Sequence, residues 1–170
     1  MYKNIDIKFP QHTFDFQAER AIAPIDIYFL LDATGSMNSF KNQLQTVPKK
    51  VVDDIKKSFI DYRFGYGVYR DKKKPPFGWS KDVEFIHEQS MTDQTQNLVD
   101  KIQNTKVSGG YDGPESGLDG LLQVLVCQDK IGWREEASRI IVLITDNIFH
   151  VSGEGKMVGM WKEPDLQRCG

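Results

Sequence analysis

The chain has 170 residues, of which 39% are hydrophobic and 27% charged, a composition typical of one globular domain with a sizeable core. The formal net charge of −2 and the sequence pI near 5.9 argue against nucleic acid as the main partner, because phosphate binding requires a basic face. No apolar run approaches the roughly 18–20 residues of a membrane span, so we expect no membrane contact by this segment.

The first part of the chain leads into a strongly apolar strand. Residues 1–20 alternate apolar and polar side chains on either side of Pro10, which predicts two edge strands. Residues 25–37 then place an almost uninterrupted apolar strand directly before a small polar loop that opens a helix. This pattern is typical of a central strand in an open α/β sheet, where ligands bind at the carboxyl ends of the strands. Asp32 lies at that end.

The loop after this strand carries alternating oxygen donors, Asp32, Thr34 and Ser36, and the intervening Gly35 lets the loop turn them inward. All three side chains are hard oxygen ligands, and Mg²⁺ prefers near-octahedral oxygen while it keeps several waters. A site with few carboxylates therefore leaves one position on the metal for an outside ligand. The alternative is that Asp32 and Ser36 only cap the helix that follows.

Apolar residues at steps of three and four predict one long helix after the loop. They are Met37, Phe40, Leu44, Val47, Val51, Ile55 and Phe59. Pro48 removes one helical hydrogen bond, so we expect a kink or an interruption near residues 44–48, unless Pro48 opens a second helical segment. Residues 62–69 then alternate as a strand, in which Gly65 and Gly67 lack the third glycine of a dinucleotide fingerprint.

The second half repeats the arrangement of strand and acidic loop. Residues 83–87 predict a short strand, and Thr92 and Asp93 are expected to cap the next helix. A turn-rich loop follows at 108–118 and carries Asp112 and Glu115. Residues 139–146 form a second apolar strand that ends in Asp146, and parallel central strands bring Asp32 and Asp146 to one sheet edge.

These motifs resemble a von Willebrand factor A-type domain, and more narrowly the I-like domain of integrin β subunits. The specific part is a string of residues after a cysteine, Cys127-Gln-Asp-Lys130-Ile-Gly-Trp133-Arg134, together with Asp112-Gly-Pro114-Glu115-Ser-Gly-Leu-Asp119 and Ile144-Thr-Asp146. The resemblance implies a doubly wound, mainly parallel sheet flanked by helices. It also implies that residues 1–22 correspond to lead-in strands from the end of an integrin hybrid domain. Residues 23–170 would be the I-like domain without its last strand and helix.

The resemblance also implies a metal-ion-dependent adhesion site for Mg²⁺ or Mn²⁺. Its ligands would be Asp32, Thr34, Ser36 and Glu115, with Asp146 acting through water. An adjacent Ca²⁺ site would use Asp71, Asp112, Glu115 and the carbonyl of Pro114, although Gly110 stands where the family has an asparagine ligand. Ser39 and Phe40 replace two acidic residues of the family, so no third ion is expected.

The family also implies a disulfide between Cys127 and Cys169. The two cysteines do not have Cys-x-x-Cys spacing, and the histidines His12, His87 and His150 are scattered along the sequence. This spacing argues against a zinc site.

Three functions follow from these residues. The first is metal-dependent adhesion at the extracellular face of a cell, as part of a longer receptor that includes an integrin α-like partner, with a partner protein's carboxylate completing the cation. The second is an intracellular, cytoplasmic von Willebrand A-type scaffold, suggested by Thr34 in place of the family's usual serine and by the absence of a signal-peptide pattern at the start of the sequence. A disulfide would favour the first.

The third function is an enzyme that uses Asp32 as a nucleophile. Phosphoryl transfer of that type usually needs a carboxylate at position 34, so we expect no enzyme activity.

Overall fold

The computed structural model describes residues 22–72 and 84–151. The strands are β1 (Ile25–Asp32), β2 (Tyr62–Tyr69), β3 (Ile86–Thr92) and β4 (Ser138–Ile144). A 3-10 helix (Gly35–Phe40) is followed by α1 (Lys41–Ser58), α2 (Thr95–Gln103), α3 (Gly117–Val126) and α4 (Gln128–Ile131). None of the helices in these two ranges is long and apolar enough to cross a membrane.

The strands form one sheet in the order β3-β2-β1-β4. Strand β1 is parallel to β2 and to β4, whereas β3 is antiparallel to β2. All eight residues of β1 are buried, because the strand has a neighbour on each side and helices cover both faces. The predicted doubly wound, mainly parallel α/β fold is thereby confirmed, with β1 at its centre.

Two apolar layers enclose the sheet. One contains Ile27, Phe29 and Leu31 of β1 packed with residues of α1 and α2. The other contains Tyr28 and Leu30 packed with residues of α3 and α4. Alternate side chains of β1 therefore supply both cores, and this explains why its sequence is a continuous apolar run rather than an alternation.

The long helix differs from its prediction at Pro48. The regular α-helix begins at Lys41, after the 3-10 helix, and continues through Pro48 without interruption. Leu44, Pro48 and Val52 are its buried residues, so the proline ring packs against the core. Pro48 still lacks the backbone hydrogen bond whose loss had suggested a break near residues 44–48. Burial of its apolar ring against the core favours the continuous helix. Phe40 and Val47, which the predicted stripe included, are more than two-fifths exposed.

The third strand and the second helix begin later than the sequence predicted. Strand β3 covers Ile86–Thr92 instead of residues 83–87, and α2 begins at Thr95 with Gln94 at its N-cap. Phe85 is buried in the core although it precedes the strand, and β3 itself is a mostly polar edge strand. The buried apolar residue and the hydrogen-bonded strand therefore lie at different positions in the sequence. A strand prediction based on apolar residues cannot detect this displacement. The predicted lead-in strands at 1–20 lie outside the described residues, as do residues 152–170.

Candidate functional site

Asp32, the last residue of β1, is fully buried and surrounded by donors at the carboxyl edge of the sheet. Its Oδ1 accepts hydrogen bonds from the backbone N–H of Thr34 at 2.9 Å and from the Thr34 hydroxyl at 2.6 Å. Its Oδ2 accepts from the hydroxyls of Thr145 at 3.0 Å and Tyr69 at 3.3 Å. Burial raises the pKa of Asp32, and the bonds from Thr34 and Thr145 offset this only in part. The carboxylate therefore organises the loops after β1 and β4.

Ser36 connects the loop after β1 to the loop after β4. Its hydroxyl donates to Oδ1 of Asp146 at 3.0 Å, and its Oγ lies 3.3 Å from the Oγ1 of Thr34. Asp32 and Asp146 thus lie at one sheet edge, as the parallel pairing of β1 and β4 predicted. Thr34 is the N-cap residue of the 3-10 helix and makes no side-chain capping bond. Asp32 accepts the backbone N–H of Thr34, as a local cap would, but its Oδ2 and the Ser36 hydroxyl also bond to Thr145 and Asp146, beyond β4.

Glu115 comes from a third loop and is held by its backbone. Its N–H donates to the carbonyl of Ile148 at 2.9 Å, and its carbonyl accepts from the N–H of His150 at 3.0 Å. The residue is 2% exposed, and within the described ranges its Oε2 has no hydrogen-bond partner. Burial, with the nearby charges of Asp71 and Asp32, raises the pKa of Glu115 to about 9. Without a cation beside it, the side chain holds a proton at neutral pH.

Gly110 allows Glu115 to come close to the loop after β1. A Cβ atom at Gly110 would lie 2.5 Å from Oε1 of Glu115 and 3.1 Å from Cβ of Thr34. Its φ of 69° also lies in the region that favours glycine. The neighbouring carbonyl of Gly109 accepts the N–H of Gly35 at 2.9 Å, which fixes the two loops against each other. Thr34, Ser36 and Glu115 are thereby brought into one cluster.

A second cluster adjoins the first and contains Asp71, Asp112 and His150. Nε2 of His150 lies 3.1 Å from Oδ1 of Asp71 and 3.7 Å from Oδ2 of Asp112. The side chains of Asp71 and His150 are 0% and 2% exposed, and that of Asp112 is 29% exposed. Burial and the nearby Asp71 charge raise the pKa of Asp112 to about 6. Pro114, predicted as a carbonyl ligand here, is half-buried in the loop between Asp112 and Glu115.

A sequence model described as the integrin beta chain VWA domain matches residues 20–169. The chain belongs to this integrin β family. Integrin beta-PS of Drosophila melanogaster is 31% identical over 150 residues, which cover 81% of this chain and 18% of that protein. Integrin beta pat-3 of Caenorhabditis elegans is 31% identical over 160 residues, or 86% of this chain and 20% of that protein. Mouse integrin beta-5 is 28% identical over 177 residues, or 92% of this chain and 22% of that protein.

The chain spans about a fifth of the length of these integrin β relatives. The predicted family is confirmed, whereas the division into lead-in strands at 1–22 and a domain at 23–170 stays a prediction. Cys127 is buried at the end of α3. Cys169 lies outside the described residues, so its bond to Cys127 also stays a prediction.

The sequence reasoning missed two residues of this edge of the integrin β domain, Tyr69 and His150. Tyr69 donates to Asp32, as does Thr145 of the Ile144-Thr-Asp146 motif, and His150 joins the two aspartates of the second cluster. A usable signal existed for Tyr69, since it ends β2. His150 was regarded as one of three scattered histidines, although it follows the same strand end as Asp146.

Proposed function

We propose that this chain is the metal-dependent ligand-binding domain of an integrin-β-type adhesion receptor. A divalent cation, Mg²⁺ or Mn²⁺, would bind between the loops after β1 and β4 and the loop that carries Glu115. A carboxylate from a partner protein would complete its coordination. This function is binding without turnover.

The observation that carries the proposal is a pair of hydrogen bonds from hydroxyl groups to carboxylates. Thr34 donates its proton to Asp32, and Ser36 donates its proton to Asp146. A hydroxyl that donates to a carboxylate keeps its lone pairs for a cation, and the carboxylate charge makes the oxygen a better ligand. We therefore propose Thr34 and Ser36 as direct ligands. Asp32, whose two oxygens already accept four protein hydrogen bonds, would act mainly by holding the hydroxyls in place.

Glu115 supplies the charged ligand in this arrangement. Its buried Oε2 is without a hydrogen-bond partner among the described residues, and a buried carboxylate oxygen without a partner is costly. A hard divalent cation would remove this cost and would hold Glu115 ionised. The donor set of two hydroxyls, one carboxylate and nearby charges fits Mg²⁺, which keeps several waters and exchanges one of them for an outside oxygen.

The proposed partners follow from this chemistry and from the family. They are a protein that presents an acidic side chain and an integrin α-like subunit, at the extracellular face of the cell membrane. The intracellular scaffold remains the alternative function. A Cys127–Cys169 bond would separate the two, because disulfides persist in oxidising compartments. Intact mass with and without reductant, on protein purified from its native source, would detect it.

Calorimetric titration of the full chain with Mg²⁺ tests the site, after removal of bound metal with a chelator. We expect one binding event in the unaltered protein, and its loss in Asp32→Ala, because the hydroxyls of Thr34 and Thr145 lose their acceptor. Asp54→Ala is the matched control, since Asp54 is an exposed residue of α1 whose salt bridge to Lys57 lies on the surface. Mg²⁺ binding of undiminished affinity in Asp32→Ala would refute the assignment.

The open position is tested separately with Mn²⁺, whose bound waters shorten the relaxation time of water protons. An aspartate-containing peptide should displace water from the bound ion and reduce this effect. The same peptide with asparagine in place of aspartate should leave it unchanged. Equal effects of the two peptides would mean that the ion does not receive a carboxylate.

A further inference from the structure

A cavity of about 520 Å³ lies between the start of α1 and the segment that directly follows α2. Its apolar lining includes Leu44, Ile102 and Val107, of which Leu44 and Ile102 are buried in the core. Nε2 of Gln103 donates to the carbonyl of Gln45 at 2.8 Å and so joins the two helices beside the cavity. The volume lies within the range of about 300–1,000 Å³ that ligand cavities usually have. The cavity is therefore large enough to admit a side chain from another molecule.

The charges that line this cavity are of one sign. Among the described residues that line it, Lys41 and Lys106 are charged and none is acidic. Neither lysine forms an ion pair within the described part of the chain, although Lys106 also lines a neighbouring cavity that contains Glu88. Asn38 and Asn104 line the cavity as well, and their side-chain amides are N–H donors. Ammonium and amide donors beside an apolar surface are complementary to an anion on an apolar stem.

Hydrogen bonds to the backbone hold the wall that the segment after α2 forms. The N–H of Ser108 donates to the carbonyl of Ala33 at 2.8 Å. The guanidinium of Arg70 donates to the carbonyl of Ala33 at 3.2 Å and to the carbonyl of Lys106 at 3.1 Å. The wall is thereby tied to the loop after β1. A cavity that is already formed loses little conformational freedom when a ligand fills it, which favours binding.

The cavity adjoins the proposed Mg²⁺ site. Asn38 follows the proposed ligand Ser36 by two residues in the same 3-10 helix, and Lys41 is the first residue after that helix. From Ser36 to Lys41 the chain advances about 10 Å, at a rise of about 2.0 Å per residue. An extended peptide covers about the same distance in roughly three residues. A protein segment whose carboxylate reaches the cation therefore brings a nearby side chain of its own to the cavity.

We propose that this cavity binds a second acidic side chain of the same protein ligand, and that glutamate fits it best. The glutamate carboxylate would accept hydrogen bonds from the ammonium groups of Lys41 and Lys106, and its methylene groups would lie against Leu44 and Val107. This inference rests on the adhesion function proposed above. It narrows the partner to a protein with two acidic residues about three positions apart, one of which binds the cation.

A series of aspartate-containing peptides tests the proposal on the Mn²⁺-loaded full chain. Each peptide carries a glutamate two, three or four positions from the aspartate, on either side, and has a twin with glutamine in place of that glutamate. We expect one glutamate peptide to bind about tenfold more tightly than its twin, because a carboxylate gains more from the lysines than an amide does. Equal affinities of the twins at every spacing would overturn the proposal. If glutarate binds the chelator-treated chain as tightly as the best peptide binds the loaded chain, the site belongs to a small anion and the proposal is overturned.

Two lysine variants test whether the preference for glutamate arises in the cavity. Lys41→Gln and Lys106→Gln should each reduce this preference, while Mn²⁺-dependent binding of the aspartate persists. Lys57→Gln is the matched control, because Lys57 lies at the other end of α1 and pairs with Asp54 on the surface. An undiminished preference in the double variant of Lys41 and Lys106 would overturn the proposal. Failure of the adhesion function is a different result, namely equal binding of aspartate and asparagine peptides, and it would overturn this inference as well.

Discussion

At the scale of single residues, the carboxyl edge of the sheet concentrates buried acidic groups. Asp32, Asp71 and Glu115 are each at most 2% exposed, and the charges of Asp71 and Asp32 act on Glu115. The pKa of Glu115 shows the consequence most clearly, because burial and its acidic neighbours raise it from 4.5 to about 9. Mutual repulsion of this kind is released either by protons or by a cation.

We therefore expect the chelator-treated protein to lose stability as the pH rises. The folded state retains a proton on Glu115 that the unfolded state releases near pH 4.5, so the free energy of unfolding falls until the pH reaches about 9. Asp112 contributes in the same direction only up to about pH 6. Urea unfolding between about pH 7 and pH 9 therefore reports on Glu115, and Asp32, whose pKa burial also raises, acts in the same direction.

Glu115→Gln should flatten this pH dependence, because an amide has no proton to release. Saturating Mg²⁺ should stabilise the unaltered protein more at pH 9 than at pH 6, since protonation of Glu115 competes with metal binding. An equally steep fall in stability in Glu115→Gln would show that another group is responsible.

At the scale of elements, two glycines of β2 allow a tyrosine of β1 to lie across the neighbouring strand. Tyr28 pairs in register with Gly65, and its hydroxyl hydrogen-bonds to Nδ1 of His87 on β3 at 2.8 Å. A Cβ at Gly67 would lie 2.3 Å from the Tyr28 hydroxyl oxygen and 2.9 Å from the carbonyl oxygen of Ile86. Gly65 and Gly67 thus serve packing, in agreement with the absence of a dinucleotide fingerprint.

Gly67→Ala should destabilise the fold by about 1–3 kcal/mol, the usual cost of adding a methyl group to a filled core. The methyl group would meet a backbone carbonyl as well as a side chain, so the strands themselves have to move. Gly113→Ala is the matched control, because nothing lies within 4 Å of a Cβ at that position. Chemical denaturation of both variants measures the difference, and equal midpoints would contradict this account of β2.

At the scale of the whole molecule, an ionic cluster at the opposite end of β1 connects distant segments. Asp26 is fully buried and accepts bonds from Nη2 of Arg63 at 2.8 Å and from Nη2 of Arg134 at 2.8 Å. Burial raises the pKa of Asp26, but the bonds from Arg63 and Arg134 outweigh this and hold the pKa below its usual value. The cluster joins β1, β2 and the segment after α4, about 20 Å from Asp32 along the strand.

Asp26→Ala should lower the free energy of unfolding by about 3 kcal/mol, because it leaves two half-buried guanidinium groups without their carboxylate. In the unaltered protein, the contribution of Asp26 is present above the unfolded pKa near 3.8 and is lost as the pH falls through the lower folded value. Urea unfolding at pH 7 measures the loss. The Mg²⁺ affinity of the folded protein should not change, and a simultaneous loss of Mg²⁺ binding would contradict the separation of the two ends of β1.

The sequence by itself determined the fold class and the acidic residues that meet at the carboxyl edge of the sheet. The apolar runs of β1 and β4 predicted two parallel neighbouring strands, which brings Asp32, at the end of β1, and Asp146, just after β4, to one edge of the sheet. In the described sheet only β1 is buried between two strands, whereas β4 is the last strand in the order and none of its residues is buried. The hydroxyls of Thr34 and Ser36 were equally predictable, because they lie within four residues of Asp32. Local pattern and parallel pairing were sufficient for these placements.

The tertiary structure decided the contacts between residues that are far apart in the chain. His150 meets Asp71 across 79 residues, and no periodicity or spacing within either segment encodes that meeting. The course of α1 through Pro48 was decided in the same way, because the apolar surface beneath the helix lies on other elements. Local sequence specifies which elements form and which side chains end them, whereas the packing of the whole chain specifies which of those ends come within bonding distance.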